Sequence, residues 1–236
     1  MTEQLFKPIL SDLLRQAQIS QNAFFQELSP DELNCIGEPD SWSAKDHVAH
    51  LTYWSQQLVL RLQALLRQEP QPKSGDFEQV NPIIFEKNRY RSWPDILSES
   101  DQVYAELIAL TEQLTEEDLT AVNRFDWMHD GMPLYISFMG NCYEHTQIHL
   151  GYYLSERNDL ARAIDTYEVW ASRVIDAEVP DILKGSILYN LACFYATHIL
   201  LEKAKPALQQ AFALYPALRE FARTDPDLDA LRDQSA

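Results

Sequence analysis

Two histidines four residues apart, His145 and His149, sit inside an otherwise apolar stretch running from about residue 132 to 154. On a helix of about 3.6 residues per turn, positions four apart share a face, so this spacing aims both imidazoles at one point. A pair of neutral imidazoles suits a borderline-soft divalent ion such as zinc, nickel or iron, and a catalytic site of this kind takes a third protein ligand and keeps a position open. Core histidine pairs also occur without metal, so the reading turns on a third donor. Two candidates lie upstream, His50 and, one turn earlier, His47; on spacing alone either fits. Cys142 falls on the same stripe as the histidine pair, with Phe138 and Tyr152, although a buried cysteine is commonly just a small hydrophobe. Glu144 directly precedes His145 and so points about 100° away from it, which leaves no evident general base.

These residues need long helices to carry them, and the chain supplies four. Apolar residues at three- and four-residue spacing from Leu5 to Leu28 predict the first. Ser29-Pro30-Asp31-Glu32 then reads as a capping box with proline at the first helical position, a short extra turn. The second long helix opens at Ser43, with Asp46 as its capping partner, and runs to Gln68, where Pro70 and Pro72 end it. Residues 70–82 are expected to be a surface linker and residues 83–90 a short helical piece. Ser92-Trp93-Pro94-Asp95 opens the third long helix, and Thr115 to Asp118 starts another single turn. An irregular segment holding Phe125, Trp127 and His129 precedes the fourth helix, which starts near Pro133 and carries the histidine pair. One apolar face per helix predicts an all-α, antiparallel four-helix bundle, whose interior is where such proteins build metal sites.

Composition narrows the partners. A formal charge of −17 argues against nucleic acid and anionic membrane surfaces, because binding to phosphate requires clustered Lys and Arg. No apolar run reaches the ~18 residues of a membrane span, and a signal peptide's basic and apolar regions are not seen. Three scattered cysteines, Cys35, Cys142 and Cys193, make no disulfide framework. A soluble, cytoplasmic protein is expected.

Trp42-Ser43-Ala44-Lys45-Asp46-His47-Val48-Ala49-His50-Leu51 resembles the opening of the second helix in the DinB-like superfamily, where a ligand histidine stands eight residues after the tryptophan. That position is His50 here, so the resemblance favours His50 over His47. The superfamily's fourth helix carries two histidines four apart, matching His145 and His149. Residues 81–91 and the Ser92-Trp93-Pro94 start also resemble members of this group, and the likeness covers roughly residues 1–157. One departure is Leu150-Gly151-Tyr152-Tyr153, where many members have glutamine or arginine soon after the last histidine. The resemblance implies a divalent metal (zinc, nickel, iron or manganese) on His50, His145 and His149, and relatives that include thiol-dependent transferases, isomerases and hydrolase-like resistance proteins. His47, His129 and His198 are expected to be surface or loop residues.

Residues 158–236 read as a second module. After a turn at Asn158-Asp159 and a helix over 160–175, the stretch from Gly185 to Pro216 places Leu188, Leu191, Ala192, Tyr195, Ala204, Leu208 and Ala211 in a pattern that resembles one tetratricopeptide repeat. Its small residues would let two antiparallel helices approach closely. Pro206 is a departure expected to kink or shorten the second of these helices, and residues 218–232 resemble the closing helix found after such repeats.

Two functions follow. In one, the bundle is a metal-dependent enzyme for a small, neutral or thiol-bearing substrate, held in a pocket between the second and fourth helices and walled by aromatics such as Tyr53, Trp54 and Tyr135. In the other, the histidine site is structural or vestigial and the repeat-like helices bind a peptide partner. A homodimer is compatible with both.

Overall fold

A computed structural model describes residues 5–73, 75–125, 128 and 131–233. Trp127 and His129 lie outside the described residues. Among the described residues every regular element is helical, and extended backbone pairs only at two isolated bridges, Glu38 with Ser41 and Val122 with Pro133. The chain is therefore all-α, as its composition and periodicity predict. It divides into two compact units at 163/164.

The first unit contains α1 (Phe6–Gln26), α2 (Pro30–Asn34), α3 (Ala44–Arg67), α4 (Phe77–Asn88), α5 (Trp93–Gln113), α6 (Glu116–Thr120), α7 (Tyr135–Met139), a π-helical turn (Gly140–Glu144) and α8 (His145–Glu156). The boundary to the second unit falls inside α9 (Leu160–Asp176). The expected caps form. Ser29 and Glu32 make a capping box on α2 and Ser43 and Asp46 one on α3; the turn expected at Thr115 also opens on a capping box, with Asp118, on α6. Each satisfies backbone N–H groups that a helix start leaves without partners. Gln68 ends α3 in the left-handed region (φ 57°), with Glu69 N donating back to the Ala64 carbonyl.

α3 packs against α4, α5 and α8, and α1 packs against α5, α6 and α8. Leu10 and Leu14 of α1, Leu62 of α3, Ile96 and Leu107 of α5, and Phe138, Tyr143 and Tyr153 near the chain's histidine pair are all fully buried. Each buried side chain of this size contributes roughly 1.5–3 kcal/mol relative to exposure, so this shared core outweighs local propensity in holding the helices together.

Two expectations fail here. The linker is shorter than its prolines suggested: α4 begins at Phe77, capped by the Asp76 carboxylate accepting from Glu78 N, with Pro82 inside it. Near a helix start a proline removes a single backbone bond, while Ile84, Phe85 and Asn88 bury and Asn81 Oδ1 accepts from Trp54 Nε1 at 3.1 Å. The fourth long helix is also not one regular helix, since the π-helical turn separates α7 from α8. Inside the turn, the Cys142 carbonyl accepts the hydroxyls of Tyr104 at 2.8 Å and Thr146 at 3.3 Å.

In the second unit, α10 (Asp181–Thr197) and α11 (Leu201–Leu214) form a helical hairpin, reversed through Ile199 at φ 60°. Ala192, Ala204 and Ala211 are fully buried, and a Cβ on Gly185 would stand 2.6 Å from the Cβ of Tyr215, so small residues set the spacing. α11 runs unbroken through Pro206, which neither ends nor shortens it. The C-terminal stretch is not a single closing helix: it comprises α12 (Leu218–Phe221), a 3-10 turn (Pro226–Leu228) and α13 (Asp229–Asp233). Pro226 interrupts it, with the Asp225 carboxylate capping the turn at Asp227 N.

Candidate metal centre

The site is built on the first two turns of α3 and the first two turns of α8. Asp46 fixes the α3 end: its Oδ2 accepts from Ser43 N at 2.8 Å and from Ser43 Oγ at 2.6 Å, with the whole group buried. Gly37 lies directly against this cap, where a Cβ would fall 2.0 Å from Asp46 Oδ2. The Gly37 carbonyl in turn accepts from Arg89, the residue after α4. One turn beyond the cap, α3 presents His47, and at the next position on that face His50.

His50, His145 and His149 converge, each offering a nitrogen within 4.8 Å of the other two. His50 Nε2 lies 3.1 Å from His145 Nε2, and His149 Nε2 also lies 3.1 Å from His145 Nε2. Two nitrogens each ~2.1 Å from one ion lie ~3.0 Å apart at a right angle and ~3.4 Å apart at a tetrahedral angle. The observed spacing falls between these, so the donor set fits a divalent metal. The π-helical turn ends where His145 begins, so both α8 histidines follow it in regular register and keep a common face.

Burial decides the protonation. It pushes His47 and His50 down to about 3 and His145 to about 4, and it holds His149 well below the ordinary histidine range. Arg157 adds to the effect at His47, and the neighbouring imidazoles add to it at His50 and His149. All four rings are therefore neutral near pH 7, with lone pairs free for a cation or a hydrogen bond.

His47 departs from the sequence expectation of a surface position. It is 4% exposed, and its Nδ1 lies 2.8 Å from His149 Nδ1. The cap places residue 47 on the face turned to α8, which pattern reading of a single helix does not show. Cys142 is buried, but its Sγ faces Ser55 Oγ at 3.6 Å and it is not among the converging donors; burial raises its thiol to about 12. Glu144 is buried as well. His198, on the C-terminal hairpin, has its ring nitrogen 2.8 Å from the Phe194 carbonyl.

Trp42, known from the sequence only as a marker of the helix start, covers the cluster. Its ring stacks on His149 (5.9 Å, 17°) and lies 5.1 Å from His50 and 5.4 Å from His47, with Phe85 behind it. A cavity of about 420 Å³ opens on His50 and His145, lined further by Trp54, Phe77, Asp76, Asn81 and Asn141. Of the expected aromatic wall only Trp54 is on this lining. Tyr135 packs edge-on against Phe6 of α1 at 4.9 Å, Tyr53 stands against Trp54, and Tyr152 is 49% exposed beside His149. The lining instead draws on the start of α4 and its cap, within the stretch whose prolines predict a linker. Among the described residues no helix is long and apolar enough to cross a membrane.

No curated protein and no solved structure matches the chain. The family model for the DinB superfamily matches residues 13–153, a span that holds α3, α8 up to Tyr153 and all four clustered histidines, and that ends before the C-terminal hairpin. The chain belongs to the DinB superfamily.

Proposed function

We propose that the first unit is a divalent-metal-dependent enzyme whose ligands are His50, His145 and His149, acting on a small neutral or thiol-bearing molecule in the adjoining cavity. The observation that carries this reading is the approach of His50 Nε2 and His149 Nε2 to His145 Nε2, each at 3.1 Å. When bound, zinc, nickel, iron or manganese would supply Lewis acidity toward a substrate oxygen or sulfur. The chain's own groups do the rest. Trp54 and Phe77 give the cavity apolar walls. Asn81, whose Oδ1 is held by Trp54 Nε1, offers its amide N–H groups. Asn141, whose Nδ2 donates to the Ser137 carbonyl, offers its Oδ1 as an acceptor. Asp76 is the one carboxylate on the described lining, and no Lys or Arg is among those residues, which favours an uncharged substrate end.

The test is elemental analysis of protein purified without chelator or histidine tag, followed by zinc and nickel titration of the parent and His145→Ala and by turnover assays with thiol adducts. About one ion per chain, lost in the variant, is the expected result. Equal binding by both proteins would move the site elsewhere. Stoichiometric metal without turnover of any thiol adduct would favour a structural role.

The second unit offers a different activity. A groove of about 670 Å³ is floored by Leu208, Phe212, Leu228 and Leu231 and edged by Lys205, Arg219, Arg223 and Arg232. Arg223 pairs with Glu220 and Arg232 with Asp229; Lys205 and Arg219 favour an acidic residue in a peptide partner here. Binding of an acidic peptide library that Arg219→Glu abolishes would support it.

A further inference from the structure

The fourth histidine of the cluster has a place that the three-ligand reading leaves unused. His47 does not point at the convergence of Nε2 atoms; it meets His149 on that ring's other nitrogen, Nδ1 to Nδ1 at 2.8 Å. His47 and His149 lie edge to face, with centroids 5.1 Å apart, and Trp42 stacks flat on the far ring. Both aromatic contacts limit rotation of His149. His50, by contrast, has its outer nitrogen Nδ1 buried without a hydrogen-bond partner, so among the buried outer nitrogens the support falls on His149.

A nitrogen that ligates a metal must present its lone pair, so the proton of a neutral ligand imidazole sits on the other ring nitrogen. For His149 with Nε2 toward the ion, that proton is on Nδ1. The atom in front of it is His47 Nδ1, which must accept, leaving the His47 proton on Nε2, which is buried without a hydrogen-bond partner and therefore adds no competing preference from an acceptor or donor of its own. We propose that His47 is a positioning residue that fixes His149 as its Nδ1–H tautomer and so orients Nε2 to the metal. It is not a fourth ligand. This inference rests on the metal reading above.

Three properties separate it from a merely structural role. In zinc-loaded, ¹⁵N-labelled protein, His149 and His47 should show a scalar coupling across the hydrogen bond between their Nδ1 atoms, and His47 should be protonated on Nε2. His47→Leu, which fills the space without an acceptor, should lower zinc affinity roughly 10–100-fold, the usual range for loss of an outer-shell partner. His47→Asn, whose Oδ1 stands the same number of bonds from the backbone as the histidine Nδ1, should restore most of that loss. His47 protonated on Nδ1 alone, or His47→Leu binding zinc as tightly as the parent, would overturn the role of His47 while leaving the three-ligand site intact. A parent protein that binds neither zinc nor nickel would overturn both.

Discussion

Gly37→Ala tests whether the loop before α3 sets the site. The glycine has no positive φ to relieve, so the whole effect is steric. The added Cβ would stand 2.0 Å from Asp46 Oδ2 and 2.6 Å from Ser43 N, against an ordinary contact of 3.4 Å or more, so Asp46 Oδ2 must gain about 1.4 Å of clearance and Ser43 N about 0.8 Å. Neither belongs to a flexible side-chain end, because Asp46 Oδ2 is tied to Ser43 twice and the group is buried. Loss of an N-cap costs about 1 kcal/mol, and a buried carboxylate deprived of donors costs about 1–3 kcal/mol more. The sum of roughly 2–4 kcal/mol should lower the melting temperature by about 5–12 °C for a unit of this size. Because His47 and His50 sit within the next two turns, zinc affinity should fall as well. Gly140→Ala is the control: a Cβ there meets nothing within 4 Å, and the change should be neutral or slightly stabilising. Scanning calorimetry with zinc titration reads both quantities. A Gly37→Ala protein melting within about 2 °C of the parent, well short of the loss worked out above, would refute the claim that this close approach holds the cap.

Three further outcomes are expected. Tyr104→Phe removes the buried hydroxyl that donates to the Cys142 carbonyl in the π-helical turn, and urea denaturation should show a loss of about 1–2 kcal/mol; no loss would mean that the turn does not depend on it. Metal-free protein should lose stability as pH falls. The folded His47 and His50 hold their protons only near pH 3, whereas unfolded histidine takes one up near 6.5, so stability is complete above 6.5 and declines below it. The slope should reach up to about 1.4 kcal/mol per pH unit per histidine, and urea midpoints at pH 7.5 and 5.5 that do not differ would contradict it. Gly185→Ala should overpack α10 against α11, since its Cβ would come 2.6 Å from Tyr215 Cβ; the expected cost is about 1–3 kcal/mol, read by hydrogen exchange in α10.

Much of this molecule is legible in its residues because the signals are local. Capping boxes at Ser29, Ser43 and Thr115 depend on residues three apart, and the helical faces of α1, α3 and α5 on spacing within one segment. The four-residue spacing of His145 and His149 puts them on one face whatever packs around them. Likeness to a family favours His50 over His47 as the third ligand, and the family match over residues 13–153 bears on the family and its fold.

What the tertiary structure alone decided depends on contacts between segments far apart in the chain. The pattern of α3 by itself gives no reason to bury His47 and reads it as a surface residue; α8 supplies His149, 102 positions later, and the outer hydrogen bond with it. Pro82 read as a linker residue until packing outweighed its lost backbone bond, which brought α4 to the cavity. The π-helical turn has no pattern of its own in sequence: Gly140 to Glu144 read as a weak stretch of α-helix, and what packs on the turn is α1, α3 and the Tyr104 hydroxyl. Spacing along one helix therefore put His145 and His149 on one face, while the packing of separate helices brought His50 and His47 to them and set which ring nitrogens meet.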